Sequence, residues 1–214
     1  CCGTDDNSLE AIKVGIEHGA DIVEFDLYFN DENIAVLSHD KPKGNEVTLD
    51  EAFNLIATYN DVKVNVDVKN VDNLKAVYPL AQKHGIENRI FYTGIKDEFV
   101  EYVKKDSPEV PYYLNVSVKK SKKNDKEYLM SLVNKVKVAG AIGINFNHKA
   151  ASEMLVNVFQ ENGLEVSIWT VNTGLKMRNL LIIMHFKILL NLIHKLAVTV
   201  GKEGKHVGKK SKKF

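Results

Sequence analysis

Glu24 and Asp26 stand two residues apart in the run DIVEFDLY, residues 21–28. If that run is a strand, both carboxylates leave the same face. On an open sheet, two such acids make an ordinary wet face. Here Ile22, Val23, Phe25 and Leu27 surround them. A strand covered on both sides should not carry two acids without a partner. A divalent cation is the simplest partner, because hard cations prefer carboxylate oxygens. The motif alone leaves both readings open.

His39-Asp40 follows the next apolar run. It reads either as a general acid/base histidine at the top of a sheet or as a loop histidine without a task. Asp67 and Lys69 share one face of the run VKVNVDVK, residues 62–69. The pair either neutralises itself, or Asp67 is a third metal carboxylate while Lys69 holds an anionic oxygen. Three acids, a lysine and a histidine from neighbouring strand ends suit metal-assisted attack at phosphorus. A metal and Lys69 would offset charge on the phosphoryl oxygens, and the histidine would move protons.

Other chemistry-bearing residues have plainer alternatives. Trp169 is read as barrel core or as a wall of the substrate pocket. His148 follows a strand end and either lines the site or does nothing there. His18 and His84 fall near helix C-termini, where a cation suits the dipole. Lys119, Lys120, Lys122 and Lys123 form a solvated loop or a patch attracting a phosphorylated substrate.

The elements that must position these residues alternate. Helical spacing marks residues 8–19, 48–59, 71–84, 97–105, 126–138 and 150–162. Thr48 with Glu51 three residues on predicts a capping box. Apolar or alternating runs mark strands at 21–28, 62–69, 89–93, 110–116, 141–146 and 164–171, with a further apolar run at 34–37 after a turn. Strand–helix units of roughly 25–30 residues imply a parallel sheet with helical crossovers. Its closed version is the (β/α)8 barrel, at the short end of its size range. In that fold the active site lies at the C-terminal strand ends, which Asp67 and Lys69 approach.

Composition fits one soluble core. The chain has 214 residues, 44% hydrophobic and 27% charged, and a net charge of +1. Residues 166–214 hold ten Lys/Arg and one acid, Glu203, whereas residues 1–165 hold 19 basic and 27 acidic residues. An acidic body argues against a nucleic-acid binder. Cys1 and Cys2 are adjacent and cannot staple distant parts of a fold. Nothing demands an oxidising compartment, and the expectation is a cytoplasmic protein. The chain begins on Cys rather than Met, so residues are expected upstream. Residues 179–200 are apolar but carry His185, Lys187, Asn191, His194 and Lys195, a poor transmembrane span. They read as an amphipathic helix closing the core or as a helix in weak contact with a membrane surface. Residues 201–214 read as a solvated Lys-rich tail.

The pieces stand in a familiar order. The stretches DNSLEAI (6–12), HGADIVEFDL (18–27), NIAVLSHD (33–40), TLDEAF (48–53), VNVDVK (64–69) and GLEVSIWTVN (163–172) resemble the glycerophosphodiester phosphodiesterases. The resemblance implies a TIM barrel over residues 1–178. It implies hydrolysis of a glycerophosphodiester to an alcohol and glycerol phosphate, with Mg2+ or Ca2+. It assigns Glu24, Asp26 and Asp67 to the metal, Asp67 standing where the family more often has Glu. His39 matches one of two catalytic histidines, and Lys69 the lysine near the phosphate.

Two departures accompany it. The family opens on His-Arg-Gly, and the positions before Gly3 are Cys1 and Cys2. Either the motif is altered or the chain was cut; in both cases the first barrel strand is expected to be missing, with one catalytic histidine and a phosphate-binding arginine. The family's closing strand is not found either, and residues 179–200 are expected to replace the last barrel unit. The rival to an enzyme is a non-catalytic barrel of the same ancestry that binds a ligand or partner. Cys1-Cys2 favours that rival; the retained acids, His39 and Lys69 favour the enzyme.

Overall fold

The computed structural model describes residues 3–171 and Arg178. The segments 179–200 and 201–214, and Cys1-Cys2, lie outside the described residues, so their expected roles carry no structural account.

Helix α1 (Leu9–Glu17) starts at Ser8, whose side chain accepts from the Ala11 amide. Strand β1 (Ile22–Phe29) buries Val23, Phe25, Leu27 and Phe29 on one face and turns Glu24 and Asp26 to the other. Strand β2 (Ala35–Leu37) pairs antiparallel with it, Leu27 opposite Leu37 and Phe29 opposite Ala35. The apolar run at 34–37 is thus an antiparallel edge strand on an otherwise parallel sheet. The Asn30–Asn33 reversal is too short for a crossover and folds back as a hairpin. The Asn30 side chain accepts from the Glu32 and Ile34 amides, and Asn33 adopts φ 60.

Helix α2 (Leu49–Ala57) begins with the expected capping box between Thr48 and Glu51. Such a cap stabilises by about 1 kcal/mol. Its Leu49, Ala52, Phe53 and Ile56 pack into the core, with the Phe53 ring 6.4 Å from that of Phe25. Strand β3 (Lys63–Val68) alternates as the sequence does, Val64, Val66 and Val68 buried. Helix α3 spans Val77–Lys83 after a 3₁₀ turn at Leu74–Ala76, shorter than the expected 71–84. Pro79 explains the late start. It has no N–H to give and is tolerated in the first helical turn, but not in a second one.

The remaining units are β4 (Ile90–Ile95), α4 (Val100–Asp106), β5 (Tyr112–Asn115), α5 (Lys126–Ala139), β6 (Gly143–Asn147), α6 (Glu153–Glu161) and β7 (Glu165–Trp169). Helix α6 starts three residues later than expected, because Ser152 caps it by accepting from Leu155.

The sheet runs β2-β1-β3-β4-β5-β6-β7, parallel apart from β2. Its apolar face packs under the helices. Its polar face lines one cavity touched by both β1 and β7, so the sheet curls around it. Among the described residues β1 and β7 do not pair, and the barrel is open there. Strand β1 is fully buried on its helix-facing side, while its other face borders the cavity, where Asp26 is largely covered and Glu24 is exposed. No helix among the described residues is long and apolar enough to cross a membrane.

Candidate active site

Register carries the acids together. Asp26 of β1 lies beside Asp67 of β3, and Asp67 beside Thr93 of β4. Glu24 lies one step lower, beside Asn65. Glu24, Asp26 and Asp67 each offer a carboxylate oxygen within 4.8 Å of the others. Lys69 leaves the end of β3 and bridges two of them, its Nζ 2.7 Å from Asp26 Oδ1 and 2.5 Å from Asp67 Oδ2. The self-neutralising reading of Asp67–Lys69 is thus met in geometry, with Asp26 as an added partner. Burial alone would lower the Lys69 ammonium, but the hydrogen bonds to Asp26 and Asp67 outweigh it and its pKa stands above the ordinary lysine value.

Glu24 makes no such pair. Its surface is exposed, yet the cavity walls strip enough water from the carboxyl that desolvation, then Asp26 and Asp67, push it up to about 7. The three acids meet as expected in a poorly solvated mouth, although Glu24 keeps access to solvent.

Asp26 and Asp67 are held from behind. Asn7 Nδ2 donates to Asp26 Oδ2 at 2.9 Å, and Asn7 Oδ1 accepts from the Asp26 amide at 2.9 Å. Thr93 Oγ1 lies 2.8 Å from Asp67 Oδ1 and 2.8 Å from Asn65 Oδ1, so its single proton serves one at a time. Sequence reasoning missed Asn7 and Thr93. Asn7 carried one usable signal: it precedes the N-cap Ser8 and takes the left-handed φ of 58 that asparagine tolerates.

The cavity is about 630 Å3 and is lined by Glu24, Asp26, His39, Asp67, Lys69 and Trp169, among others. Every residue assigned to the site from the sequence therefore borders one space. His39 stands at its rim, 70% exposed, with Nδ1 3.0 Å from Asp40 Oδ1. Trp169 stands at the end of β7, 44% exposed. His148 does not line the cavity. Lys122 pairs with Asp125, and Lys123 donates to the Ala151 carbonyl, so this loop engages its own neighbourhood.

The far wall was also missed. Asn115, Asn145 and Ser167 stand side by side across β5, β6 and β7. Their signal was weak: single polar residues interrupting the apolar runs YYLNV, IGINF and EVSIW.

A family model described as the glycerophosphoryl diester phosphodiesterase family matches residues 46–185. The chain belongs to this family. Its members are phosphoric diester hydrolases acting on glycerophosphodiesters. The matched span carries Asp67, Lys69 and Trp169 of the cavity. The fold is similar to that of an Oleispira antarctica phosphodiesterase solved with the product sn-glycerol-3-phosphate, at 16% identity and TM-score 0.67, covering 83% of each chain. It is also similar to a glycerophosphodiester phosphodiesterase from Thermotoga maritima, at 18% identity and TM-score 0.61, covering 88% of this chain and 93% of that one. No curated protein sequence matches the chain. The diesterase fold is thus the fold of this chain, an α/β barrel of the TIM type.

Proposed function

We propose that this chain hydrolyses glycerophosphodiesters to an alcohol and glycerol phosphate, aided by Mg2+ or Ca2+ at Glu24, Asp26 and Asp67. The observation that carries the reading is the convergence of these three carboxylates on one cavity, with Lys69 between two of them. The donor set is all hard oxygen, as either cation prefers. The Lys69 ammonium already occupies a position where positive charge is stabilised. When bound, the cation would neutralise charge on the phosphoryl oxygens.

In the reaction, water's oxygen bonds to phosphorus and releases a proton to solvent, the P–O bond to the alcohol breaks, and the alcohol oxygen takes a proton. His39, solvent-accessible at the rim, supplies that proton as general acid. Lys69 offers a fixed positive charge to the anionic oxygens. Trp169 gives the substrate carbons an apolar face. Asn7 and Thr93 hold the two aspartates in place, so little reorganisation is needed.

Among the described residues lining the cavity, His39 is the one histidine. We therefore read this chain as a cation binder with slow turnover. The test measures both properties. Mg2+ or Ca2+ should raise the melting temperature, and Asp26→Ala should remove most of that rise. An equal rise in the variant would remove the metal site. Hydrolysis of glycerophosphocholine and glycerophosphoethanolamine should be detectable and should fall with Asp67→Asn. A binding-only barrel would show the thermal shift with no hydrolysis at any enzyme concentration.

A further inference from the structure

The cavity has two unlike halves. One is the charged row Asp26–Asp67, with Glu24 and Lys69. The other is the neutral row Asn115–Asn145–Ser167, aligned across three adjacent strands. The two rows join through Gly94, whose amide donates to Asn115 Oδ1 at 3.2 Å. The neutral row is fixed by its own hydrogen bonds. Asn145 Nδ2 donates to Asn115 Oδ1 at 2.7 Å, so that oxygen already accepts twice. What remains is directional. Asn115 Nδ2 is left to donate, Asn145 Oδ1 to accept, and the Ser167 hydroxyl to do either. None of the three has a hydrogen-bond partner among the described residues, and all three residues line the cavity.

We propose that this row binds hydroxyl groups of the substrate, and that the chain prefers diesters of a polyhydroxylated alcohol over diesters of a quaternary ammonium alcohol. This rests on the diesterase reading above. The argument is one of matched groups. Adjacent hydroxyls both donate and accept, as the row does. A trimethylammonium group does neither; it seeks aromatic faces, and Trp169 is the one aromatic ring among the described cavity residues. Seating it against the row would leave amide groups desolvated and unpaired. The preference places the leaving alcohol on the row, with the glycerol arm elsewhere in the cavity.

Affinity is the primary readout, because it does not require fast turnover. Calorimetry with the full chain and Ca2+ should show glycerophosphoinositol binding about tenfold tighter than glycerophosphocholine, on the scale of one well-made hydrogen bond. Ser167→Ala and Asn145→Ala should each weaken the inositol diester at least threefold. Ser167→Ala removes a hydroxyl that no other described residue uses, so it keeps the test decisive if Asn145→Ala fails to fold. Bis(4-nitrophenyl) phosphate, with no hydroxyl on either arm, should bind the variants and the parent alike. Weakening of the inositol diester alone places the leaving alcohol on the row; weakening of the inositol and choline diesters together places the glycerol arm there. In the second case the hydroxyl site stands and the headgroup preference falls. Ser167→Ala without effect on either diester overturns the site. Selective binding without hydrolysis would instead overturn the diesterase reading and leave the row in place.

Discussion

Gly94 passes so close to Asp67 that a Cβ on the glycine would stand 2.7 Å from Asp67 Oδ1 and 2.4 Å from the Val68 carbonyl oxygen. It does so at φ +76, where the β4–β5 register shifts between Tyr92 and Ile95. The bulge aims the amide of Gly94 at Asn115 while leaving room for the Asp67 carboxylate.

Gly94→Ala should therefore damage stability and site together. The left-handed backbone alone costs about 1–2 kcal/mol for a residue with a Cβ. The contact with the Val68 carbonyl adds to this, because backbone cannot swing away as a side chain can. Denaturant unfolding should show a loss of at least that size, with a smaller cation-induced thermal shift. An unchanged midpoint would mean that the close approach is not a feature of the folded protein.

Asn7 and Asp26 give a cleaner separation of positioning from folding. Asn7→Gly keeps the residue compatible with φ 58 while deleting both bonds to Asp26. A hydrogen bond to a carboxylate is worth about 1.5–3 kcal/mol when well shielded, and this one is only partly so. The cation affinity should fall severalfold while the melting temperature without cation changes by a few degrees at most. Equal cation affinity in the variant and parent would reduce Asn7 to a helix-start residue.

Much of this was legible in sequence, and the reasons differ by element. The β3 valines alternate strictly, so the inward direction of Asp67 followed from period two alone. Thr48 and Glu51 announced the start of α2 by a local rule. The far wall was not legible in that way. Asn115, Asn145 and Ser167 become neighbours only through the register of β5, β6 and β7. Nothing local in YYLNV states which residue of IGINF will lie beside it. The same holds for Asn7, whose partner Asp26 is 19 positions away. The antiparallel β2 was missed because an apolar triplet has no direction; its hairpin is set by the Asn30 side chain.

Glu24 sets the expected pH dependence. Its carboxyl is pushed up to about 7 by desolvation and then by Asp26 and Asp67. The folded value lies above the unfolded one. The proton on Glu24 therefore supports the cation-free fold fully below the ordinary carboxylate range, and that support is lost as pH rises through 7. A cation needs the ionised carboxylate, so its affinity should have the opposite slope. It should fall about tenfold for each pH unit below 7 and level off above it. Thermal shifts with Ca2+ from pH 5 to pH 9 measure this directly. Glu24→Gln should flatten the profile; a profile in the parent that is already flat near 7 would place the titration elsewhere.

The final expectation concerns proton transfer. Cleavage needs one group to take a proton from the attacking oxygen and another to give one to the leaving oxygen. His39, at the cavity rim, is the residue proposed for the second role. Among the described residues lining the cavity no second histidine stands beside it to take the first role. One general acid or base is worth about 10²–10⁴ in rate. A chain given the family's first strand, with His and Arg at positions 1 and 2, should hydrolyse glycerophosphocholine at least about a hundredfold faster on the same scale. His39→Ala in the extended chain should remove a similar factor, with the cation-induced thermal shift intact. A parent chain that already turns over at ordinary enzymatic rates would show that its proton transfers need no second histidine. An extended chain indifferent to His39→Ala would take His39 out of the reaction.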